Sequence, residues 1–483
     1  MCLPQSSALN LNLALESTKV AYLRKSPMPE TTVPAQIFRA YDIRGIYGKD
    51  LTPEIAETIG KGFGTFLGGR RNLAVARDIR IGGEQLKNAM VSGLTSTGCD
   101  VVDYGITTTP VFYFGIARQN REGGAMTTAS HNPREWNGFK LCREKGAIVG
   151  QGSGVEKIQQ IIADGKFAKP SVKGKAETYE GVIDEYCEFV LNKIHVEKKL
   201  NVVLDTGNSV SGIVAPGLFE KIGCKVKVLN EKLDGTFPSH SPEPTEAALQ
   251  QLISEVRKTH ADLGVGYDGD GDRAVFVDDK GRLLTGDFSS IVFASALMTK
   301  SNRKVVIDVS CSSALEDSVK AEGGIPLVER IGRPFMMTRV LQENAVFGGE
   351  RSGHFYFPHV FGLDDGTFAS LKMTEILSRG SMSLSEVVDR IPKYYSTTVN
   401  VPFPDEHKFK TVSALKPKLE KMGFRILAID GVKARDETGW VLLRPSNTEP
   451  LIRIFAEATT QDRLTQLLGL AQEMLKKEAE HIR

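Results

Sequence analysis

The chain has 483 residues, 41% hydrophobic and 25% charged, a globular composition with material for several cores; at ~150 residues per domain, length alone suggests roughly three domains. Lys and Arg number 61 against 59 Asp and Glu, a formal net charge of +2, so the basic footprint of a nucleic-acid or membrane-surface binder is missing and a small polar substrate fits better. Six cysteines without C-x-x-C spacing argue against zinc, redox and disulfide frameworks, and no apolar run approaches the ~20 residues of a membrane span.

Residues 1–33 are Ser- and Pro-rich, with neither the basic n-region nor the apolar h-region of a signal peptide. They read as a disordered leader, the alternative being a true start at Met28 within them, and the protein reads as cytoplasmic. From there helix and strand patterns alternate. Thr52-Pro53 caps a helix carrying Ile55, Ile59, Phe63 and Phe66 at helical spacing. "LAVARD" (73–78) reads as a buried strand, followed by a helix over about 83–97 and the strand "CDVVDYG". The strand end "LAVARD" returns as "VVLDTGNS" (202–209) and "VVIDVSCS" (305–312), each an apolar run closing on an aspartate, which points to a repeated α/β unit. Residues past 400 differ: strands flank an Asp430-Gly431 turn, and Leu464, Leu467, Leu468, Ala471, Met474 and Leu475 form one helical stripe, as in an antiparallel α+β domain.

Four short stretches carry chemistry. "TTASHNP" holds Ser130 beside His131, but flanking glycines of a nucleophile elbow are absent, and neighbours in extended chain face opposite ways, so His131 is badly placed to deprotonate Ser130. Asn132-Pro133 marks a turn and predicts Ser130 at an exposed loop tip. "YDGDGDR" (267–273) alternates Asp268, Asp270 and Asp272 with glycines, aiming three carboxylates at one point as a hard cation requires. An EF-hand is excluded by Arg273 at the sixth position and Asp279 at the twelfth; Mg²⁺ comes first because few protein ligands leave room for a phosphate oxygen. "GGERSGHFYF" (348–357) offers Glu350, Ser352 and His354 in a Gly-rich loop suited to a polyol. "RPSNTEP" (444–450) gathers Arg444, Ser446, Asn447 and Thr448, a phosphate cradle in composition that an ordinary turn could also provide.

In this order and spacing, the four motifs resemble those of the α-D-phosphohexomutases, with the phosphomannomutase/phosphoglucomutase branch nearest, over about residues 35–483. The resemblance implies three related α/β domains (34–177, 178–281 and 282–393) and a C-terminal α+β domain of different topology (394–483) around a central cleft. It implies that Ser130 carries phosphate and that Asp268, Asp270 and Asp272 hold one Mg²⁺ per chain together with an oxygen of that phosphate. Arg273 and Arg44 would neutralise the transferring group, with Lys140 and His131 as candidates for proton transfer. Glu350 and Ser352 match the sugar-reading pair, His354 lies beside them, and Arg444, Ser446, Asn447 and Thr448 match the distal phosphate site.

The implied reaction interconverts hexose 1-phosphate and hexose 6-phosphate of mannose or glucose, through a phosphoserine enzyme and a hexose 1,6-bisphosphate that also serves as activator. Sugar phosphates are then the partners, with no nucleic acid or membrane and a monomeric or weakly dimeric state. Phosphoglucosamine mutase and a metal-dependent sugar phosphatase are the alternatives. This chain departs from the family at Arg351, where Met or Gln is usual, and at Arg333, where a substrate-contacting loop often has His. The branch assignment therefore leans on Asn447, where the glucosamine branch usually has Gly.

Overall fold

The computed structural model describes residues 32–446 and 450–480; most of the leader, together with Asn447 and Thr448, lies outside the described residues. Three mixed sheets and one antiparallel sheet follow each other along the chain. The first domain contains β1 (Ile43–Ile46), α1 (Pro53–Phe66), β2 (Asn72–Arg77), α2 (Gly83–Ser96), β3 (Asp100–Ile106), α3 (Thr109–Arg118), β4 (Gly123–Thr127), β5 (Trp136–Arg143), α4 (Val155–Ala163) and β6 (Ala176–Thr178). The second contains α5 (Val182–Leu191), β7 (Asn201–Asp205), α6 (Ser211–Lys221), β8 (Lys225–Leu229), α7 (Gln250–Thr259), β9 (Leu263–Tyr267), β10 (Ala274–Val277) and β11 (Leu283–Leu284). The third contains α8 (Gly286–Leu297), β12 (Lys304–Asp308), α9 (Ser313–Ala321), β13 (Ile325–Glu329), α10 (Arg333–Gln342), β14 (Phe347–Gly349), β15 (Phe355–Tyr356), α11 (Gly366–Arg379) and α12 (Leu384–Val388). The fourth contains β16 (Tyr395–Pro402), α13 (Lys408–Lys421), β17 (Arg425–Leu427), β18 (Val432–Arg435), β19 (Gly439–Pro445), β20 (Leu451–Ala458) and α14 (Gln461–Glu480).

The local signals act as chemistry requires. Thr52 accepts a hydrogen bond from Ile55 N at the start of α1, and Pro53 occupies a first-turn position where no N–H is needed. Strands β2, β7 and β12 are the repeated "LAVARD", "VVLD" and "VVID" runs; each is covered on both faces by helices, which is why it is continuously apolar.

The repeat is topological as well. In each of the first three sheets a central strand (β2, β7, β12) is flanked by two parallel neighbours (β3 and β4, β8 and β9, β13 and β14), and the next strand (β5, β10, β15) returns antiparallel. The fourth sheet is antiparallel throughout, in the order β16-β20-β19-β18-β17. Among the described residues no helix is long and apolar enough to cross a membrane.

One continuous core joins the first three domains, running from Phe112 and Tyr113 through Tyr186 and Phe276 to Phe293, Phe347 and Phe355. The fourth domain docks on the third through a smaller cluster of Val309, Trp440, Leu442 and Phe455. There Trp440 Nε1 donates to Glu457 Oε1 (2.9 Å) and to Ser313 Oγ (3.1 Å), and Ser313 N at the start of α9 donates to the same carboxylate oxygen (2.7 Å). Lys433 Nζ reaches across to Val309 O (2.8 Å) and lies 3.7 Å from the centre of the Trp440 ring. Burial pushes the Lys433 ammonium down to about 8, although Cys311 and Glu457 act in the opposite sense.

A lysine whose folded value drops from 10.5 to about 8 carries a penalty of roughly 3 kcal/mol at neutral pH, present below 8 and relieved as pH rises towards 10.5. The parent should therefore gain stability relative to Lys433→Met between pH 8 and 10.5. Thermal unfolding of both proteins at pH 7 and pH 10 measures this; an identical gap at the two values would show that the buried charge is not penalised.

Candidate active site

The predicted functional residues sit in equivalent places of the repeat, in the connection from the last parallel strand to the antiparallel one. The β4–β5 connection carries Ser130, β9–β10 carries Asp268 to Arg273, and β14–β15 carries Glu350 to His354. In the fourth domain the β19–β20 connection begins with Ser446 and continues into the residues outside the description.

Ser130 is not at an exposed tip: it is 2% exposed, with a left-handed φ of 51°. That conformation also overturns the expectation for His131, because the extended-chain alternation does not apply at a left-handed residue. Ser130 Oγ lies 3.1 Å from His131 Nδ1 and donates to Asp268 Oδ2 at 2.9 Å. Backbone strain of this kind typically costs about 1–3 kcal/mol and is retained where surrounding structure enforces it. Burial, reinforced by Arg273 and Arg44, pushes His131 well below the usual histidine range, so its ring is neutral.

Asp268, Asp270 and Asp272 converge, with ligand atoms within 4.8 Å of one another, and none is more than 1% exposed. Asp268 Oδ1 accepts from Gly271 N (2.9 Å), the turn that Gly271 makes with a φ of 77°. Asp270 Oδ2 accepts from Thr109 Oγ1 and from Lys140 Nζ, both at 2.6 Å, and Lys140 also reaches Asp272. Asp270 Oδ1 and Asp272 Oδ1 are buried and accept no hydrogen bond. A buried oxygen of this kind is costly unless something positive faces it. The donor set is entirely oxygen, which suits a hard divalent cation.

Charge is divided unevenly here. Burial and the neighbouring Asp272 and Asp270 push Asp268 well above the ordinary carboxylate range. Burial acts the same way on Asp272, but Lys140 and His354 outweigh it and hold this carboxyl well below that range. Lys140 itself, despite burial, is held firmly as an ammonium by Asp270 and Asp272.

The metal-loop and sugar-loop candidates are bonded to one another. Arg273 Nε donates to His354 Nε2 (2.9 Å), and Ala274 N donates to Gly353 O (3.2 Å). His354 Nδ1 is 2.8 Å from Asp364 Oδ2, whose other oxygen lies 2.6 Å from Arg333 Nη2. Arg333 is buried, with its guanidinium 3.8 Å from the centre of the Tyr113 ring. Glu350, 2% exposed, accepts from Tyr356 OH (2.7 Å) and Ser352 Oγ (3.2 Å), and burial raises its carboxyl. Arg351 turns away from these groups: Nη1 donates to Ser310 O (3.2 Å) and Nη2 to Ser396 Oγ (3.4 Å) on β16. Arg44 is paired with Asp42 (2.7 Å) and bonded to Asn132 in the Ser130 loop.

In the fourth domain Arg444 Nε donates to Asp430 Oδ2 (2.8 Å), which also accepts from Ile331 N (3.2 Å) of the third domain. Ser446 is buried. Tyr41 OH donates to Ile331 O (3.0 Å); burial raises its phenol to about 12, and Arg444, Asp430, Glu350 and Arg330 act on it electrostatically. A crevice of about 870 Å³ runs past Tyr41, Arg330, Phe335, Asp430 and Pro445 but is lined by neither Ser130 nor the three aspartates.

Sequence reasoning missed several contributors. Thr109 and Asp364 support the carboxylates and His354, Tyr356 supports Glu350, and Asp430 supports Arg444. Arg80, 2% exposed, donates to backbone carbonyls of the Ser130 loop. The paired aspartates of "FGLDDG" and the run "RDIR" at the end of the repeated strand were the available signals.

Comparison with known proteins gives the family and the fold. Family descriptions for "Phosphoglucomutase/phosphomannomutase" match in chain order: alpha/beta/alpha domain I at residues 35–169, domain II at 184–281, domain III at 285–395, and the C-terminal domain at 399–471. A "Phosphoglucomutase/phosphomannomutase" of Thermococcus kodakarensis is 36% identical, covering 92% of this chain and 99% of the relative. A "Probable phosphoglucosamine mutase" of Methanopyrus kandleri is 35% identical, covering 92% and 99%. A crystal structure of a phosphoglucomutase/phosphomannomutase family protein from Burkholderia thailandensis superposes with a TM-score of 0.85 at 32% identity, covering 92% and 98%. Fold and site thus define a mutase, an isomerase in enzyme class. The chain belongs to the phosphoglucomutase/phosphomannomutase family.

Lys140 bridges two of the three buried carboxylates, so Lys140→Met should lower the stability in EDTA, by about 3–5 kcal/mol if the bridge is lost outright. Added Mg²⁺ should restore more stability to the variant than it adds to the parent. Equal Mg²⁺ increments in thermal scans would rule out this electrostatic account of Lys140.

Proposed function

We propose that the protein is a phosphohexomutase that interconverts the 1- and 6-phosphates of mannose and glucose, with Ser130 as the phosphoryl carrier. The observation that carries this reading is Ser130 Oγ set against Asp268 at 2.9 Å, in a cluster where two buried carboxylate oxygens accept no hydrogen bond. Mg²⁺ would be held by Asp268, Asp270 and Asp272 beside the Ser130 group, and when bound it supplies positive charge to the transferring phosphoryl oxygens.

The chain's own groups do the rest. In the first half-reaction the Ser130 Oγ–P bond breaks as a P–O bond forms to the free hydroxyl of a hexose monophosphate. That hydroxyl loses its proton and Ser130 Oγ takes one up. His131 Nδ1, at 3.1 Å and neutral, is the group suited to relay it, whereas Lys140 serves as fixed charge. The bisphosphate then reverses end for end, and its other phosphate returns to Ser130 with the proton moving the opposite way. Arg44 and Arg273 stabilise charge on the transferring group. Arg444 and Ser446, with Asn447 and Thr448, grip the phosphate that is not reacting, and Glu350 with Ser352 reads the sugar. His354, held between Arg273 and Asp364, aligns Arg273 at the junction of the two loops.

Intact mass should show a phosphorylated fraction that disappears in Ser130→Ala along with nearly all turnover; wild-type turnover by that variant would sink the carrier role. Inorganic phosphate released without isomer would instead identify a phosphatase.

Mannose and glucose differ at C2, while a carboxylate–hydroxyl pair suits the 3- and 4-hydroxyls they share. Their kcat/KM values should therefore agree within about tenfold, or 1.4 kcal/mol, and galactose 1-phosphate should be poor because its inverted 4-hydroxyl points away from Glu350. ³¹P NMR with mannose, glucose, galactose and glucosamine 1-phosphates in turn tests this. Galactose 1-phosphate turning over as fast as glucose 1-phosphate would refute the shared-hydroxyl account, and preference for the glucosamine phosphate would move the protein to that branch.

A further inference from the structure

The loop that carries Ser130 is held on both sides by one buried pair. Arg80 Nη2 donates to Ser130 O and Asn132 O, each at 2.6 Å, and Nη1 donates to Pro133 O (2.9 Å) and Trp136 O (3.1 Å). A single guanidinium thus gathers four carbonyls, three in the β4–β5 connection and one at the start of β5. Its partner Asp78 lies 3.3 Å from Arg80 Nε and accepts from Thr128 Oγ1 (2.7 Å), which in turn accepts from Ser130 N (2.9 Å). The peptide groups before and after Ser130 are therefore both fixed, the first through Asp78 and Thr128, the second directly by Arg80. Fixing both peptides sets φ and ψ of Ser130, and these aim Oγ.

The second domain closes this arrangement from outside. Phe237, buried and on the connection between β8 and α7, lies with its ring centre 5.0 Å from Arg80 Cζ. On the same connection a Cβ added to Gly235 would stand 2.2 Å from Ile79 O, so the segment rests directly on the turn leading into Arg80. A Cβ on Gly269, between the first two metal-loop aspartates, would stand 2.4 Å from Ser130 O. The Ser130 carbonyl is accordingly pinched between the Arg80 guanidinium and the metal-loop backbone.

We propose that Arg80, clamped by Phe237, is a positioning residue that sets the direction of Ser130 Oγ toward the metal loop and makes that direction depend on the docking of the second domain. This rests on the reading of Ser130 as phosphoryl carrier. Arg80 touches backbone carbonyls and none of the reacting atoms, so its loss displaces the nucleophile without removing a group from the chemistry. The geometry requires the planar fork of arginine; a lysine ammonium retains the charge opposite Asp78 but cannot serve four carbonyls.

The test compares Ser130→Ala, Arg80→Lys, Phe237→Leu and Gly269→Ala in the full chain, with glucose 1-phosphate, glucose 1,6-bisphosphate and Mg²⁺. Arg80→Lys should lower kcat by about 100-fold, the penalty expected for a misplacement of about 1 Å, with KM for glucose 1-phosphate nearly unchanged. The single-turnover rate of Ser130 phosphorylation by glucose 1,6-bisphosphate, read by intact mass, should fall by the same factor. Phe237→Leu should give a smaller loss of the same kind, and methylguanidinium should partly restore Arg80→Ala. A merely structural Arg80 would instead lower the unfolding midpoint and leave kcat of the folded fraction at the parent value, which would overturn the proposal. If Arg80→Lys does not fold, Gly269→Ala decides: it presses on the Ser130 carbonyl while leaving the ion pair intact, and parent-like kcat would again overturn it. An active Ser130→Ala would discard the carrier reading itself, whereas an inactive Ser130→Ala beside a fully active Arg80→Lys would discard only this inference.

Discussion

Three carboxylates removed from water within one six-residue connection are the constraint on which the structure around them depends. Each of Asp268, Asp270 and Asp272 is at most 1% exposed. Burying like charges together is strongly unfavourable unless cations and donors are brought in from elsewhere. The chain supplies these from other elements: Lys140 from β5, the Thr109 hydroxyl from the start of α3, and the Ser130 hydroxyl from the β4–β5 connection. The contacts between the first and second domains follow from this need. Two buried carboxylate oxygens, Asp270 Oδ1 and Asp272 Oδ1, are left without a hydrogen-bond donor, in a cluster that could hold an external cation.

Repetition explains how the remaining groups arrive. A central parallel strand with neighbours on both sides creates a switch point at its carboxyl end, where loops from adjacent strands diverge. In each of the three related sheets the next turn, into the antiparallel strand, leaves its residues on that side. The same structural position therefore holds Ser130 in one domain, the acidic cluster in the second and the Glu350–His354 residues in the third. Because one apolar core continues through all three domains, these turns are held relative to each other by packing, and the Arg273–His354 and Ser130–Asp268 bonds complete the registration. The fourth domain is attached differently, by a small apolar cluster and the Trp440–Glu457–Ser313 bonds, so the position of Arg444 depends on a separate and smaller interface.

Much of this was legible in the sequence because the functional groups lie in short contiguous runs. The alternation of aspartate and glycine needs no tertiary information to announce a cation, and the three strand ends announce a repeated sheet. What escaped depends on contacts between residues far apart in the chain. Ser130 was expected at an exposed tip because its turn residues are polar, yet burial there is decided by the second domain, which packs over the turn. His131 was expected to face away because the argument assumed extended backbone, and the positive φ of Ser130, enforced by Arg80 and Thr128, brings the two side chains together. Arg80, Asp364 and Asp430 act through carbonyls, a histidine and an arginine that the sequence does not place near them.

Two arginines, Arg351 and Arg333, illustrate why charge in a sequence motif is not charge in a site. Arg351 lies inside the sugar-loop motif, yet its guanidinium reaches Ser310 O and, on β16, Ser396, joining the loop to the strand that begins the fourth domain. Arg333 opens α10, where its guanidinium stacks on Tyr113 of the first domain and faces Asp364. Asp364 in turn contacts His354, which accepts from Arg273. A guanidinium N–H only donates, so the Arg273 contact leaves the His354 lone pair on Nε2 and its proton on Nδ1, 2.8 Å from Asp364 Oδ2. Arg333 is thus linked to Arg273 through three successive contacts, by way of Asp364 and His354.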